Sequence, residues 1–381
     1  VTALDPRLLA RVREHVAAGG PVPVGAALAT MAREGGCVLG QEDLAALPDR
    51  VRAELLGAGP LQGLLALPGV TDVLVNGPRD VWIDRGAGLE RVDVHVPDVR
   101  ALAVRLAAAG GRRLDDAAPV VDAALPDGTR LHAVLPPVAA GGAVISLRVL
   151  RRHAFTLDDL EAGGSVAPAV GAALRALVAG RANLLVSGGT GTGKTTLLAT
   201  LLGLVAPDQR VVCVEDALEL VPDHPHVVHL VARRPNVEGA GEVDLTALVR
   251  HALRMRPDRI VLGECRGAEV REVLTALNTG HDGSCATVHA NTVADVPARL
   301  VALGALAGMS PGAVAAQALS GLHAVVHLRR AGALRYVAQV GAVAGGGAGW
   351  EVEPVLDAAP DGDVRPGRAW SAFARRWGVS P

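Results

Sequence analysis

The apolar positions change their period several times along the chain. Residues 1 to 54 read as short amphipathic helices, starting with the charged "VTALDPRLLARVREHV" and broken at "AGGPVP" and "REGGC". From about residue 60 apolar and polar residues alternate. "VTDVLVNGPRDVWID" predicts a hairpin with Asn76-Gly77 as its turn signal. "VRALAVRLAAAGGRRL" has helical spacing and stops at Gly110-Gly111. "DAALPDGTRLHAVLPP" and "AVISLRVL" read as strand, turn, strand. Residues 55 to 150 therefore predict a small α+β domain, and "RRHAFTLDDLEAGGS" a linker over 151 to 165. From 166 short apolar runs alternate with helices. "NLLVSG", "RVVCVED", "RIVLGE" and "CATVHA" predict a mainly parallel sheet covered on both faces, an α/β domain over 166 to 345. It closes on a hairpin around "ALRYVAQVGAV", and residues 346 to 381 read as a Pro- and Asp-rich tail.

One segment is apolar enough to raise the question of a membrane span. Leu300 to Leu328 holds no Asp, Glu, Lys or Arg. "MSPG" interrupts it, and Gln317, Ser320, His323 and His327 dilute it, so two short helices and a strand are predicted. The charged start carries no leader pattern.

Composition narrows the function classes. Aromatics are 2% of residues, so the core is aliphatic. The net charge is −2, and the arginines come in scattered pairs with carboxylates between them. No strong nucleic-acid binding is expected from such a surface. Cys37, Cys213, Cys265 and Cys285 form no C-x-x-C, and read as reduced thiols of a cytoplasmic protein. His224, His226 and His229 lack a fourth metal ligand and read as ordinary surface histidines.

The chemistry begins at "LLVSGGTGTGKTTLL". Gly188, Gly189, Thr190, Gly191, Thr192, Gly193, Lys194 and Thr195 fit G-x-x-x-x-G-K-[ST], between an apolar strand and a helix that continues through Thr196. The glycines let backbone N–H groups curl round phosphate oxygens, and the helix N-terminus adds favourable dipole charge. Lys194 is the only lysine in the chain; the other 36 of its 37 basic residues are arginine. A compact ammonium on a thin stem threads back over the loop, where a planar guanidinium would clash with the glycine cradle. Shape, not charge, keeps lysine here. Carboxylates follow at two strand ends: Glu215 and Asp216, with Glu219 just after, and Glu264, followed by Arg266. A further strand end brings His281 and His289.

These segments resemble, in order, the four boxes of the type II/type IV secretion ATPases: the phosphate loop, "VEDALEL", "RMRPDRIVLGECRG" and "NTGHDGSCATVHANT". "RRPNVEGAGEV" also fits. Upstream, "VTDVLVNGPRDVWID", "GRRLDDAAPVVDAALPDGTRLHAVLPP" and "ISLRV" resemble the N-terminal domain of the Tad/CpaF branch, which powers Flp pilus assembly. The resemblance covers about residues 60 to 345. It departs at "GECRG", where the branch has Val before the Arg, and at Arg234, where it often has Pro.

The resemblance implies a RecA-like P-loop ATPase domain preceded by a small α+β domain, acting on ATP with Mg²⁺. It implies that Lys194 binds the β/γ-phosphates, that Thr195 binds Mg²⁺, and that Glu264 acts on Mg²⁺ through water. It makes Glu215 the general base and His289 a sensor of the γ-phosphate or of the neighbouring subunit. Arg113, Arg130 and Arg148 fall where the family places cations that close over the nucleotide; Arg233, Arg254, Arg256 and Arg266 are weaker interface candidates. The implied assembly is a homo-oligomer, a hexamer, on an inner-membrane platform protein at the cytoplasmic face. Conjugal DNA transfer and a nucleotide-gated scaffold without turnover are the competing functions. Lys194→Arg keeps the charge and changes the shape, and should reduce ATPase activity to the level of Lys194→Ala in a phosphate-release assay. Activity near wild type would refute the shape argument.

Overall fold

The computed structural model describes residues 57–379 except 87, 150–153, 234–239 and 347–348, together with some positions between 8 and 55. It divides into two compact units, Val1–Arg151 and Arg152–Pro381. In the first unit, the described positions before residue 56 are helical, and Leu8, Val12, Leu28, Leu47 and Val51 share a small apolar cluster. A 3-10 turn, Gly59–Leu61, leads into α1 (Gln62–Leu65).

The rest of that unit is one sheet and one helix. Six antiparallel strands lie in the order β3-β2-β1-β6-β5-β4: β1 (Asp72–Gly77), β2 (Asp80–Asp84), β3 (Leu89–Val92), β4 (Val120–Ala124), β5 (Arg130–Val134) and β6 (Val144–Arg148). Alternate residues, such as Leu131 and Ala133 of β5 and Ile145 and Leu147 of β6, point into a core shared with Leu102, Ala103 and Leu106 of α2 (Val99–Ala109). Asp98 caps α2 by accepting from Ala101 N. The β1–β2 turn falls on Pro78-Arg79, because Gly77 pairs with Asp80; the Asn76-Gly77 signal lies one step early, in a register shift at the end of β1.

The second unit is a nine-stranded sheet in the order β15-β14-β13-β12-β7-β11-β10-β8-β9. The strands β7 (Leu184–Gly188), β8 (Val211–Glu215), β9 (Val227–Val231), β10 (Arg259–Cys265), β11 (Cys285–Val288) and β12 (Ala324–Ala331) pair in parallel. All five residues of β7 and of β8 are buried, as expected for central strands with both faces covered. The two-residue period sorts them. Leu184 and Val186 enter a core with α4 (Pro168–Ala179) and α5 (Lys194–Gly203); Leu185 enters the opposite core. That second core holds α6 (Leu245–Ala252), α7 (Val270–Leu277), α8 (Val296–Leu306) and α9 (Pro311–Gly321). The charge-free stretch 300–328 is thus α8, α9 and β12, and among the described residues no helix is long and apolar enough to cross a membrane. Cys213, Cys265 and Cys285 are buried and unbridged.

Two boundaries differ from the sequence reading. The segment read as a linker contains α3 (Leu157–Ala162), capped by Thr156 and Asp159; its Leu157 is buried in the α4–α5 core, and Arg175 binds Asp158 and Glu161. The segment read as a tail belongs to the sheet. β13 (Leu334–Gly346) pairs antiparallel with β12 and β14 (Gly349–Ala358), and β15 (Val364–Pro366) pairs with β14. The chain ends in α10 (Trp370–Trp377). Its Phe373 is 4% exposed, between the rings of Trp370 and Trp377 at centroid distances of 6.3 Å and 6.5 Å. Trp377 lies against Gly180, where an added Cβ would meet its ring at 2.8 Å. Phe373→Ala should cost about 3–5 kcal/mol. A denaturant midpoint within error of wild type would return residues 346–381 to the role of a detachable tail.

Candidate active site

β7 ends where the phosphate loop starts. Gly188 sits at φ 152° and Gly193 at φ 94°, conformations open to glycine at little cost. A Cβ on Gly188 would also meet Leu328 O and Thr192 Oγ1, each at 2.7 Å. Thr192 Oγ1 donates to Gly189 O at 2.9 Å and closes the loop. Gly193 is the N-cap of α5, so the first helical residue is Lys194. The lysine is 8% exposed, and its ammonium donates to Gly188 O at 3.1 Å and Gly189 O at 2.8 Å. The side chain folds back over its own loop, as the sequence argument requires. A phosphate oxygen is a stronger partner than these carbonyls, and the ammonium is within reach of both. Burial lowers the Lys194 pKa, while Glu264 opposes the shift.

The partners arrive on neighbouring strand ends. Glu264, near the end of β10, accepts from Arg266 and lies with Oε1 2.6 Å from His289 Nε2, just past β11. Burial pushes the Glu264 carboxyl up, but Arg266, His289 and Lys194 outweigh it and hold it below the usual range. His289 Nε2 is also 3.4 Å from Lys194 Nζ. One nitrogen cannot donate to a carboxylate and accept from an ammonium at once. The hydrogen-bond geometry favours Lys194: Nε2 accepts from its ammonium, and Glu264 Oε1, though close, is left without a hydrogen-bond partner. Burial, followed by the charge of Lys194, lowers the His289 pKa and favours the neutral ring at neutral pH.

Glu215 and Glu219 follow the same strand but lie in different surroundings. Glu215 is 3% exposed. Its Oε1 accepts from Glu219 N at 2.9 Å and Leu220 N at 2.8 Å, and its Oε2 lies 3.5 Å from His229 Nδ1. Through Oε1 this carboxylate clamps the loop after β8, while Oε2 makes no hydrogen bond. Glu219 instead reaches Thr195, whose Oγ1 donates to its Oε2 at 3.4 Å. The sequence made Glu215 the general base; in the structure Glu219 is the carboxylate that reaches Thr195. Glu219 was visible in the sequence as the next carboxylate, but only the loop shows which of the two is buried.

Other candidates lie elsewhere. His224 Nε2 is 3.1 Å from Ala206 O and His226 Nε2 is 2.9 Å from Arg210, so the three imidazoles of that cluster go to separate partners. Arg254 and Arg256 precede β10, at the opposite end of that strand from Glu264. Arg233 forms an isolated bridge with Val243. Arg234 falls outside the described residues. Glu269, which the sequence reading did not single out, is 7% exposed and accepts from Arg266 N at 2.6 Å and Gly267 N at 2.8 Å, fixing the loop that presents Arg266.

Residues 54–332 match the family model described as "Type II/IV secretion system protein". The chain belongs to the type II/IV secretion system protein family. It is 54% identical over 302 residues, 77% of this chain and 86% of the other, to a Mycobacterium tuberculosis protein provisionally named for conjugal transfer. It is 34% identical over 262 residues to the type IV secretion system protein VirB11 of Brucella suis, covering 61% and 72% of the two chains. The fold is that of the ATPase DotB of Yersinia pseudotuberculosis, with a TM-score of 0.50 over 75% of this chain and 74% of that one, at 15% identity.

The cations that the secretion-family resemblance points to lie in the first unit. Arg130 and Arg148 are cross-strand partners on β5 and β6, and Asp72 pairs with Arg148 from β1. Arg148 Nε lies 3.1 Å from Asp72 Oδ1, on a side chain 67% exposed; Arg113 pairs with Asp115. Exposed pairs of this kind contribute about 0–1 kcal/mol, so either arginine exchanges its partner readily. Glu215→Ala should cost about 1–3 kcal/mol by leaving two amides without an acceptor. Glu219→Ala should leave stability within about 0.5 kcal/mol while abolishing turnover. Chemical denaturation paired with ATPase assays separates the two, and full turnover without the Glu219 carboxylate would restore Glu215 as the base.

Proposed function

We propose that the chain is an ATP-hydrolysing motor of a type II/IV secretion machine. It works as a homo-oligomeric ring, a hexamer, at the cytoplasmic face of the inner membrane, and drives assembly of a Tad-type pilus through an inner-membrane platform protein. The observation that carries the reading is the convergence of Lys194, Thr195, Glu219, Glu264 and His289 on one glycine loop. Gly188 to Thr196 cradle the phosphates. Family membership supports the ATPase reading.

Mg²⁺ fits this donor set, because the Thr195 hydroxyl and the carboxylates of Glu219 and Glu264 are hard oxygen ligands grouped beside the phosphate loop. Thr195 would hold the ion directly and Glu264 through water. When bound, Mg²⁺ neutralises charge that builds on the phosphate oxygens. Glu219 orients the attacking water and takes its proton. Lys194 holds the β/γ-phosphates. His289, hydrogen-bonded to Lys194 and beside Glu264, links the loop to the end of β11. By the family resemblance, Arg113, Arg130 and Arg148 of the first unit are the further cations for the γ-phosphate.

The second reading, an ATPase for conjugal DNA transfer, is favoured by the name of the Mycobacterium tuberculosis relative. The scattered charge and the net value of −2 favour the pilus. ATPase rate per subunit should rise with protein concentration as the ring forms. Arg148→Ala should lower kcat by about a thousandfold or more, with the ring retained in light scattering. A monomer as active as the oligomer overturns the ring. Tight DNA binding with a steep salt dependence in gel shifts would put conjugation first.

A further inference from the structure

Arg299 lies on α8, on the wall of a cavity of about 450 Å³ that also takes in Gly189, His289, Asn291 and Asp295. The cavity therefore starts at the phosphate loop, passes the imidazole of His289 and ends on the helix. Several arginines around this sheet are held by protein partners. Arg259 donates to Gln209 Oε1, Val178 O and Gly283 O; Arg250 binds Glu272, and Arg266 binds Glu264. The Nε of Arg299 is buried and has no hydrogen-bond partner, as has that of Arg335 on β13, but of the two only Arg299 lines this cavity, and among the described residues its guanidinium makes no ion pair. The nearest carboxylate along the helix, Asp295, accepts from Thr292 Oγ1 at 2.8 Å. A buried charged donor without an acceptor costs more than a neutral one, so its retention on a cavity wall points to a ligand that satisfies it.

The cavity sets the chemistry of that ligand. Gly189, whose carbonyl accepts from Lys194, and His289, which lies beside Glu264, line it on the loop side. Arg299 is the permanent cation among the residues that line the cavity, with a planar fork matched to two oxygens of an oxyanion. We propose that Arg299 is a phosphate-binding residue, whose guanidinium takes two oxygens of a tetrahedral phosphate held between Gly189, His289 and α8. The phosphate is the γ-phosphate of bound ATP or the inorganic phosphate that hydrolysis leaves there. The inference rests on the ATPase reading above and adds the residue that tells ATP from ADP. Because α8 also carries Val296, Leu300 and Leu303 into the core, a phosphate bound at Arg299 pulls directly on the helix layer.

The test uses the full chain, as wild type, Arg299→Ala and Arg299→Lys. Each is titrated with ADP, with a non-hydrolysable ATP analogue, and with inorganic phosphate in the presence of ADP. Arg299→Ala should weaken analogue binding by about tenfold to a hundredfold and leave ADP binding within about twofold, the size expected for losing a charge-assisted hydrogen bond. Arg299→Lys, with the charge but not the fork, should fall between. A matching loss of inorganic phosphate binding extends the site to the released product; unchanged phosphate binding restricts it to the intact nucleotide. Equal weakening of ADP and analogue, or no change in either, overturns the proposal and leaves the ATPase reading standing. A wild-type chain that binds neither nucleotide overturns both. Should Arg299→Ala not fold, the Arg299→Lys titrations are read by the same criteria.

Discussion

Parallel pairing around β7 is the constraint on which the second unit depends. Val288 pairs with Ser187, Ser187 with His327, and Leu262 with Val214. Strands that run the same way in this register end at the same edge. Gly188, Glu264, His289 and the loop after Glu215 therefore emerge together, although up to about a hundred residues separate them in the chain. No single side chain contact brings them there. The register is enforced by burial: β7 and β8 are apolar on both faces, and a slip would misplace every residue between the two helix layers.

Within that edge, charge balance decides what each group does. Lys194 is held between its own loop carbonyls and His289, in a half-desolvated setting that favours its neutral form, and Glu264 draws it back toward the charged one. Glu264 in turn is shared by Arg266 and His289. The chain Lys194, His289, Glu264, Arg266 thus links the phosphate loop to the ends of β10 and β11. The network runs from the buried Lys194 to the exposed Arg266, so loss of a partner is felt most at its buried end. Arginine could supply the charge at position 194 but not the path over the loop.

At the other end of the sheet, β13, β14 and β15 extend β12 antiparallel, and α10 returns to pack beside α4. The extension covers what would otherwise be an exposed apolar edge next to the site. It also gathers three of the chain's seven Phe, Trp and Tyr rings, with Trp370, Phe373 and Trp377 on one face of α10 and His323 edge-on to Trp377 at 5.6 Å. The turn-rich, Pro- and Asp-containing composition around them concealed the alternation of "WEVEPVLDA" and the spacing of three rings.

Some of this was determined locally and could be read from the chain. Short strands bounded by turn residues, the glycine loop with its lone lysine, the strand-end carboxylates and the helix breaks within 300–328 all rest on neighbours in sequence, where period and backbone preference act. Local pattern could not decide which of Glu215 and Glu219 is buried, because both follow the same strand and only the packing of the loop against Gly263 and His229 separates them. Nor could it show that residues 349–377 complete the sheet, or that Arg299, with no motif around it, faces the phosphate loop. Those outcomes depend on contacts between segments far apart in the chain. A residue's type and spacing fix what it is able to do; its burial and its partners, which only the folded chain supplies, fix which of those things it does.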